Sequence, residues 1–484
     1  MAKNDEVAAV WAAPRARDRK RSSLAIYTSP NGERFQTLGG THRYIKGTTI
    51  EKPPNYNGAD AATEIATHPL NLLLLFLPLG IVAWWRHWGP LYVFWFNFFA
   101  MVPLAKILGD ATEELAASLK NDMIAGLLNA TFGNAVEMVI TVQTLRAGLF
   151  DVVKATLLGS VLSNTLLVLG MSFLCGGLVS KKKEAPEATG PEGAAPLPLQ
   201  ESPTTIQQEA ALVQHQSGVT SMDIASIWDI EEKIQSFSVL GALVNTSMLL
   251  ISCMSFCLIT IFRTVSFRDG DEAEAYASEI LLPVSRISSV IIMLAYVAYI
   301  FFQLVTHKEA MSSGDAEEEG EDEGGHLSVG KSTMLLCITT IVVAFSSELL
   351  VDAIEGVTEK AHMSDHFIGI ILLPIVGNAC EHAAAVRFAM QDKLGLSVSI
   401  AVGSSTQIAL FVVPFSVLVG WAIGRGMDLN FGTLNTSMIT LSVIVVLSMV
   451  VDGQSNWLQG YLLCSVYAII AVMYWYLPDH ATAL

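Results

Sequence analysis

Apolar runs about as long as a bilayer crossing, roughly 20 residues each, recur along the chain. Eleven are placed, near 70–85, 90–117, 122–146, 152–178, 237–262, 279–305, 331–357, 366–390, 395–423, 434–451 and 457–477. Each reads as a membrane-spanning helix; the first is short enough to be re-entrant instead. Residues 1–66 are polar without a sustained period, and a largely disordered tail is expected there. Two internal stretches are too polar for lipid. Residues 180–235 are rich in Pro, Ala, Glu and Gln and read as a flexible loop. Residues 306–330 read as an acidic linker. The pattern predicts an all-α membrane protein with about eleven transmembrane helices.

The two halves of this pattern share a motif. "GNAVEMVITV" begins at Gly133 and "GNACEHAAAV" at Gly377, 244 residues later. At this offset Ile124 matches Ile368, Gly133 matches Gly377, Asn134 matches Asn378 and Glu137 matches Glu381; "GSVLSN" from Gly159 falls on "GSSTQI" from Gly403. Upstream the offset becomes 242. There "GDATEE" from Gly109 falls on "VDAIEG" from Val351, which pairs Asp110 with Asp352 and Glu113 with Glu355. Each half then holds five helices, with 70–85 left over: one five-helix repeat over 90–305, interrupted by the loop 180–235, and another over 331–477. Five is odd, so the second repeat runs through the membrane in the opposite sense. That is the inverted-repeat design of secondary transporters, whose substrate sites lie near the midplane.

Composition agrees. The chain is 52% hydrophobic and 15% charged, with a mean hydropathy of +0.48, far from the quarter charged of soluble domains. The net charge of −17 is uneven, because seven carboxylates fall in the nine residues "DAEEEGEDE" from Asp315. That run either concentrates cations near a pore mouth or serves as a solubilising linker. The six cysteines all lie in apolar segments without a CxxC pair, which points to inert thiols rather than a zinc site or a disulfide framework. The basic string "RARDRKR" from Arg15 has no apolar segment after it for roughly fifty residues, so no secretory signal is expected. With the cluster Lys181–Lys183 it falls on one side of the membrane when four helices lie between them, and the excess of basic residues makes that side the cytoplasm.

The duplicated carboxylates carry the chemistry. Asn134 and Glu137 are three residues apart, as are Asn378 and Glu381, so on a helix each pair shares a face. Gly133 and Gly377 allow close crossing and expose backbone carbonyls. The next helix of each half offers Ser160 and Ser163, or Ser404 and Gln407. Carboxylates, amides, hydroxyls and carbonyls are hard oxygen ligands, and they suit Ca²⁺, with its roughly six to eight oxygens, better than softer metals. An ionised carboxylate at mid-membrane costs at least about 3 kcal/mol, and a second one nearby adds to this. Two such groups are neutralised either by protons or by one divalent cation. These two states exclude each other, as antiport requires. Glu113 and Glu355 are candidate vestibule residues, with a solvated helix end as the other reading; Glu114 and Glu348 make a weaker case. His382 has Met138 in the matching position; it either tunes the cation site and carries protons or is a packed helix histidine.

The strings "GNAVE", "GSVLSN", "GNACEH" and "GSSTQ" resemble the signature repeats of the cation/proton exchanger (CAX) family of the Ca²⁺/cation antiporter superfamily. The resemblance covers about 70–477. It implies eleven helices, residence in a vacuolar or other acidic-organelle membrane, and Ca²⁺ import driven by proton export. By position, Glu137 and Glu381 correspond to the central cation- and proton-binding glutamates, Asn134, Asn378, Ser404 and Gln407 to supporting polar positions, and His382 to the histidine of the second repeat. In some members a long N-terminal tail is inhibitory.

The expected function is secondary active exchange of cytosolic Ca²⁺ for H⁺ by alternating access, with the N-terminus cytoplasmic. The chain is not expected to be an enzyme, and its partners are Ca²⁺, H⁺ and membrane lipid, without nucleic acid or a resident cofactor; an oligomer is compatible with this reading. The rivals are a Na⁺/Ca²⁺ exchanger of the same superfamily, a divalent cation channel and, less supported, a membrane enzyme using paired carboxylates. Mn²⁺ and other divalent ions remain open as substrates.

Overall fold

The computed structural model describes residues 25–28, 34–38, 41–45, 63, 65–119, 122–179, 233–266, 271–307, 327–361 and 363–477. The basic string from Arg15, the cluster Lys181–Lys183 and the acidic run from Asp315 lie outside the described residues. The chain divides into two units, Met1–Asn55 and Tyr56–Leu484.

The first unit holds an antiparallel sheet of three strands, β1 (Ala25–Thr28), β2 (Arg34–Leu38) and β3 (Thr41–Ile45), in the order β1-β2-β3. Ala25 pairs with Thr37, and Leu38 with Thr41. No regular element was expected in this tail. The signal is present in short form: segments such as "AIYT" and "THRYI", rich in β-branched and aromatic residues, are separated by Asn31-Gly32 and Gly39-Gly40. Each is too short for its alternation to register across a longer window.

The second unit is helical. Its elements are α1 (Pro69–Trp85), α2 (Pro90–Ser118), α3 (Asp122–Phe132), α4 (Ala135–Ala147), α5 (Phe150–Leu178), α6 (Val239–Ser266), α7 (Asp271–Phe301), α8 (Val329–Ala361), α9 (Asp365–Gly377), α10 (Ala379–Met390), α11 (Leu394–Ala422), α12 (Thr433–Val450) and α13 (Trp457–Tyr476). Among the described residues eight helices are long and apolar enough to cross a membrane, and the pair α9 and α10, bent by 60°, makes a ninth. The chain is an integral membrane protein built from helices.

Local chemistry sets the ends of these helices. Gly89, at φ 116°, turns the chain into Pro90, whose missing N–H costs nothing at the first helical position. Gly148, at φ 84°, ends α4 in the left-handed conformation. Asn456 and Gln459 form a reciprocal cap at the start of α13.

Two apolar clusters hold the bundle. One gathers α5, α6, α7, α11, α12 and α13 around Phe173, Phe256, Leu410 and Tyr474. The other gathers α1, α2, α4, α8 and α9 around Phe94, Met101 and Val343. Small residues bring α5 against α9: a Cβ on Gly369 would meet the Cβ of Ala155 at 2.5 Å, and Gly159 lies directly on the Ile370 backbone.

Two features were not expected from the apolar pattern. The runs 122–146 and 366–390 predicted continuous helices, but each breaks at its Gly-Asn pair. Asn134 (φ −107°, ψ 28°) caps α4, and Asn378 (φ −88°, ψ 13°) caps α10. Glycine loses most entropy in a helix, and asparagine prefers caps, so the break falls there. In addition, α5 and α11 each contain a π-helical turn, at Ser163–Val168 and Ile408–Val412. Such turns concentrate at functional sites.

Contacts gather the connections at two ends. At one, β4 (Gln235–Ser236) pairs with β5 (Gln454–Ser455), Gln235 donates to the Ala389 carbonyl and to Asp392, and Lys233 donates to the Val179 carbonyl. At the other, Lys154 pairs with Asp428 at 2.7 Å, and Arg425 donates to the Arg146 carbonyl at 2.6 Å.

Candidate cation site

The helix breaks place both carboxylates. Glu137 sits in the first turn of α4 and Glu381 in the first turn of α10, where unpaired backbone N–H groups and the helix dipole favour negative charge. Glu137 is 2% exposed. Its carboxylate reaches across to the other half of the chain: a Cβ on Gly377 would lie 2.6 Å from Glu137 Oε1. Glu381 is half-buried and lines a cavity of about 320 Å³ together with Glu113, Asn134, Ser404 and Gln407. It lies within electrostatic range of both Glu137 and Glu113.

Amides and hydroxyls tie the two halves together around these carboxylates. Asn134 Nδ2 donates to Gln407 Oε1 at 2.8 Å, and Ser404 Oγ donates to Asn134 Oδ1 at 3.2 Å. Asn164 Nδ2 donates to Ser404 Oγ at 3.0 Å. From the other direction, Asn378 Nδ2 donates to the Ser160 carbonyl at 3.1 Å. Both cap asparagines thus bind the helix that follows the carboxylate of the opposite half.

The oxygens left over define the chemistry. Both carboxylate oxygens of Glu137, Oε2 of Glu381, Oδ1 of Asn378, Oδ1 of Asn164 and Oγ of Ser160 are buried without a protein hydrogen-bond partner. Proteins seldom leave such groups unpaired, and each normally costs about 1–3 kcal/mol. A cluster of unpaired acceptors suits a cation or a proton. Among the described residues no three His, Cys, Asp or Glu side chains converge on a metal position. The donor set is two carboxylates plus neutral oxygens, which are hard ligands of the kind that bind Ca²⁺.

The structure therefore brings together Glu137, Glu381, Asn134, Asn378, Ser404, Gln407 and Ser160. Ser163 is buried at the start of the π-helical turn in α5. Two expectations change. His382 does not line the cavity; its Nε2 lies 3.0 Å from Met171 Sδ of α5. One residue after Glu381, it stands about 100° further around α10. Glu355 is exposed on α8 and away from the cavity, whereas Glu113 lines it.

Sequence reasoning missed Asn164, although it closes the quoted string "GSVLSN", and it missed Asn245 of α6 with Tyr299 and Gln303 beyond it, which also line the cavity. The signal for Asn245 is the string "NTSM", which stands at 245–248 and again at 435–438.

Comparison with known proteins follows the same lines. Residues 89–191 and 331–476 match the family described as sodium/calcium exchanger protein. Vacuolar cation/proton exchanger 3 of Oryza sativa subsp. japonica is 38% identical over 450 residues, spanning 92% of this chain and 94% of that relative. The Ca(2+)/H(+) antiporter of Aphanothece halophytica is 36% identical over 419 residues, spanning 84% of this chain and 96% of its own length. Among solved structures, native YfkE superposes with a TM-score of 0.62 at 30% identity, covering 84% of this chain and all of its own.

Proposed function

The chain belongs to the cation/proton exchanger family, within the sodium/calcium exchanger proteins, and from that premise we propose that it moves Ca²⁺ from the cytosol into an acidic organelle in exchange for H⁺. Glu137 and Glu381 take either the metal or protons. The observation that carries this reading is the pairing itself. Two carboxylates from two broken helices meet across the halves of the chain, one packed on Gly377 and the other facing the cavity.

Ionised, the two carboxylates and the neighbouring neutral oxygens attract a divalent cation. Protonated, they lose that attraction and the metal leaves. Each tenfold difference in proton activity supplies about 1.4 kcal/mol per proton carried, so an acidic lumen drives uptake. The capping asparagines hold the opposite half in place, and the apolar clusters on either side keep water out of the closed end.

Eleven spans follow if α1, the broken pair α3–α4 and the bent pair α9–α10 each cross once beside the eight long helices. Two five-helix repeats of opposite sense then share the matched breaks and the matched π-helical turns. The cavity is lined by residues of α2, α6, α7 and α11 on the side of the membrane where α5 ends and α6 begins. With its Lys181–Lys183 cluster, the connection 180–235 belongs in the cytoplasm, so this is a cytosol-facing conformation with the N-terminus on the same side. The Lys154–Asp428 pair and the Arg425 bond close the lumenal end. A vacuolar or similar membrane suits both the relatives and the need for a proton gradient.

Ca²⁺ uptake into acid-loaded proteoliposomes without Na⁺ tests the function. Uptake is expected to proceed and to stop when a protonophore collapses the gradient. Uptake that requires internal Na⁺ and ignores the protonophore would place the chain among sodium-coupled exchangers, and uptake that neither saturates nor follows the pH gradient would make it a channel.

A further inference from the structure

The last two helices of each half contain a second matched pair. In the first half Tyr299 of α7 donates its hydroxyl to Asn245 Oδ1 of α6 at 2.5 Å. In the second half Tyr474 of α13 donates to Asn435 Oδ1 of α12 at 2.5 Å. Both asparagines open the same string, "NTSM", at 245–248 and 435–438. The strings are 190 residues apart, not 244, because the connection 180–235 sits within the first half, upstream of Asn245.

The two pairs have different surroundings. Asn245 and Tyr299 line the cavity beside Glu381 and Gln407. Thr406 of α11 donates to the Asn245 carbonyl at 3.0 Å, and Asn245 Nδ2 faces Gly403, 3.9 Å from where a Cβ would stand. The first pair is thus joined to the helix that carries Ser404 and Gln407. Tyr474 is fully buried, Asn435 is 7% exposed with its Nδ2 bonded to the Phe431 carbonyl, and Ser364 donates to the Tyr474 carbonyl. The second pair lies at the closed end, among the residues that follow Asp428.

A phenol hydroxyl has one proton and two lone pairs. Once the proton is committed to an asparagine, the oxygen can only accept. It then presents lone pairs to whatever passes, and a cation shedding water gains from them. Resting on the exchange reading above, we propose that Tyr299 is a cation-contacting residue of the cytosolic pathway, with Asn245 positioning its hydroxyl, and that Tyr474 and Asn435 form the same device for the lumenal pathway. Each pair serves the cation while its own end is open and packs away when that end closes.

The test is sided. In vesicles of defined protein orientation, the KM for Ca²⁺ is measured from each face for wild type, Y299F and Y474F. Y299F is expected to raise the KM about tenfold at the face that carries residues 180–235, as for loss of one oxygen facing a cation, and to leave the KM at the other face within about twofold. Y474F is expected to do the reverse. Either variant changing both faces alike, or lowering the maximal rate with both KM values unmoved, would overturn the proposal and leave the pairs as helix-packing bonds. Wild type serves as the reference: absence of any proton-driven Ca²⁺ uptake by it would overturn the exchange reading and this proposal together, whereas wild-type uptake with symmetric variants overturns this proposal alone.

Discussion

Glu381→Gln is expected to cut proton-driven Ca²⁺ exchange by about 100-fold or more, and Glu137→Gln to do the same, with both proteins remaining folded. The size follows from the chemistry of the site. A carboxamide neither carries the charge that attracts a divalent cation nor binds and releases a proton near neutrality, so either substitution removes one of the two groups proposed to alternate between metal and protons. Folding is spared for a reason seen in the structure. Both oxygens of Glu137 and Oε2 of Glu381 lack a side-chain hydrogen-bond partner, and glutamine keeps the shape while removing a buried charge. Initial uptake rates with matched expression, together with the thermal midpoint of each purified variant, check the prediction. A well-folded glutamine variant that exchanges at the wild-type rate would sink the two-carboxylate mechanism.

Gly377→Ala is expected to be nearly as damaging, by about 10- to 100-fold, without touching a charge. A methyl group there would stand 2.6 Å from Glu137 Oε1 and 3.3 Å from its Cδ, inside the roughly 3.5–4.0 Å of comfortable contact. The carboxylate must move out of the place where the two halves meet. The backbone itself tolerates alanine, since Gly377 is not among the positive-φ glycines, and alanine favours helix by about 1 kcal/mol over glycine. Gly330→Ala on α8 is the control, because a Cβ there meets nothing within 4 Å; it is expected to transport like wild type. Equal activity of the two variants would mean that Glu137 does not rest against Gly377.

Much of this site was legible in the sequence. Gly-Asn-Ala-x-Glu written twice, each time inside an apolar run, named the carboxylates, their asparagines and the polar residues of the following helix. The helix breaks were not legible, because the apolar pattern runs on through Gly133 and Gly377 and its period does not register a single capping residue. His382 misled for a related reason: adjacency to Glu381 in the chain is a rotation of about 100° on a helix, and the ring packs on Met171 instead. Glu355 misled because a match of position in the sequence does not fix burial: Glu113 lines the cavity, and Glu355 is exposed. The Asn245–Tyr299 pair stayed hidden behind the insertion at 180–235, which shifts its register away from that of the glutamates. The strands at 25–28, 34–38 and 41–45 were missed because each is only four or five residues long.

The proposed exchange requires one pair of carboxylates to bind either Ca²⁺ or protons and never both fully. Proton release on Ca²⁺ binding tests it most directly, measured with the purified protein by titration calorimetry in buffers of different ionisation enthalpy. Wild type is expected to release protons as Ca²⁺ binds, and the release is expected to be lost together with tight Ca²⁺ binding in Glu137→Gln and Glu381→Gln. Tight Ca²⁺ binding by wild type without any proton release, across the pH range in which it transports, would contradict it.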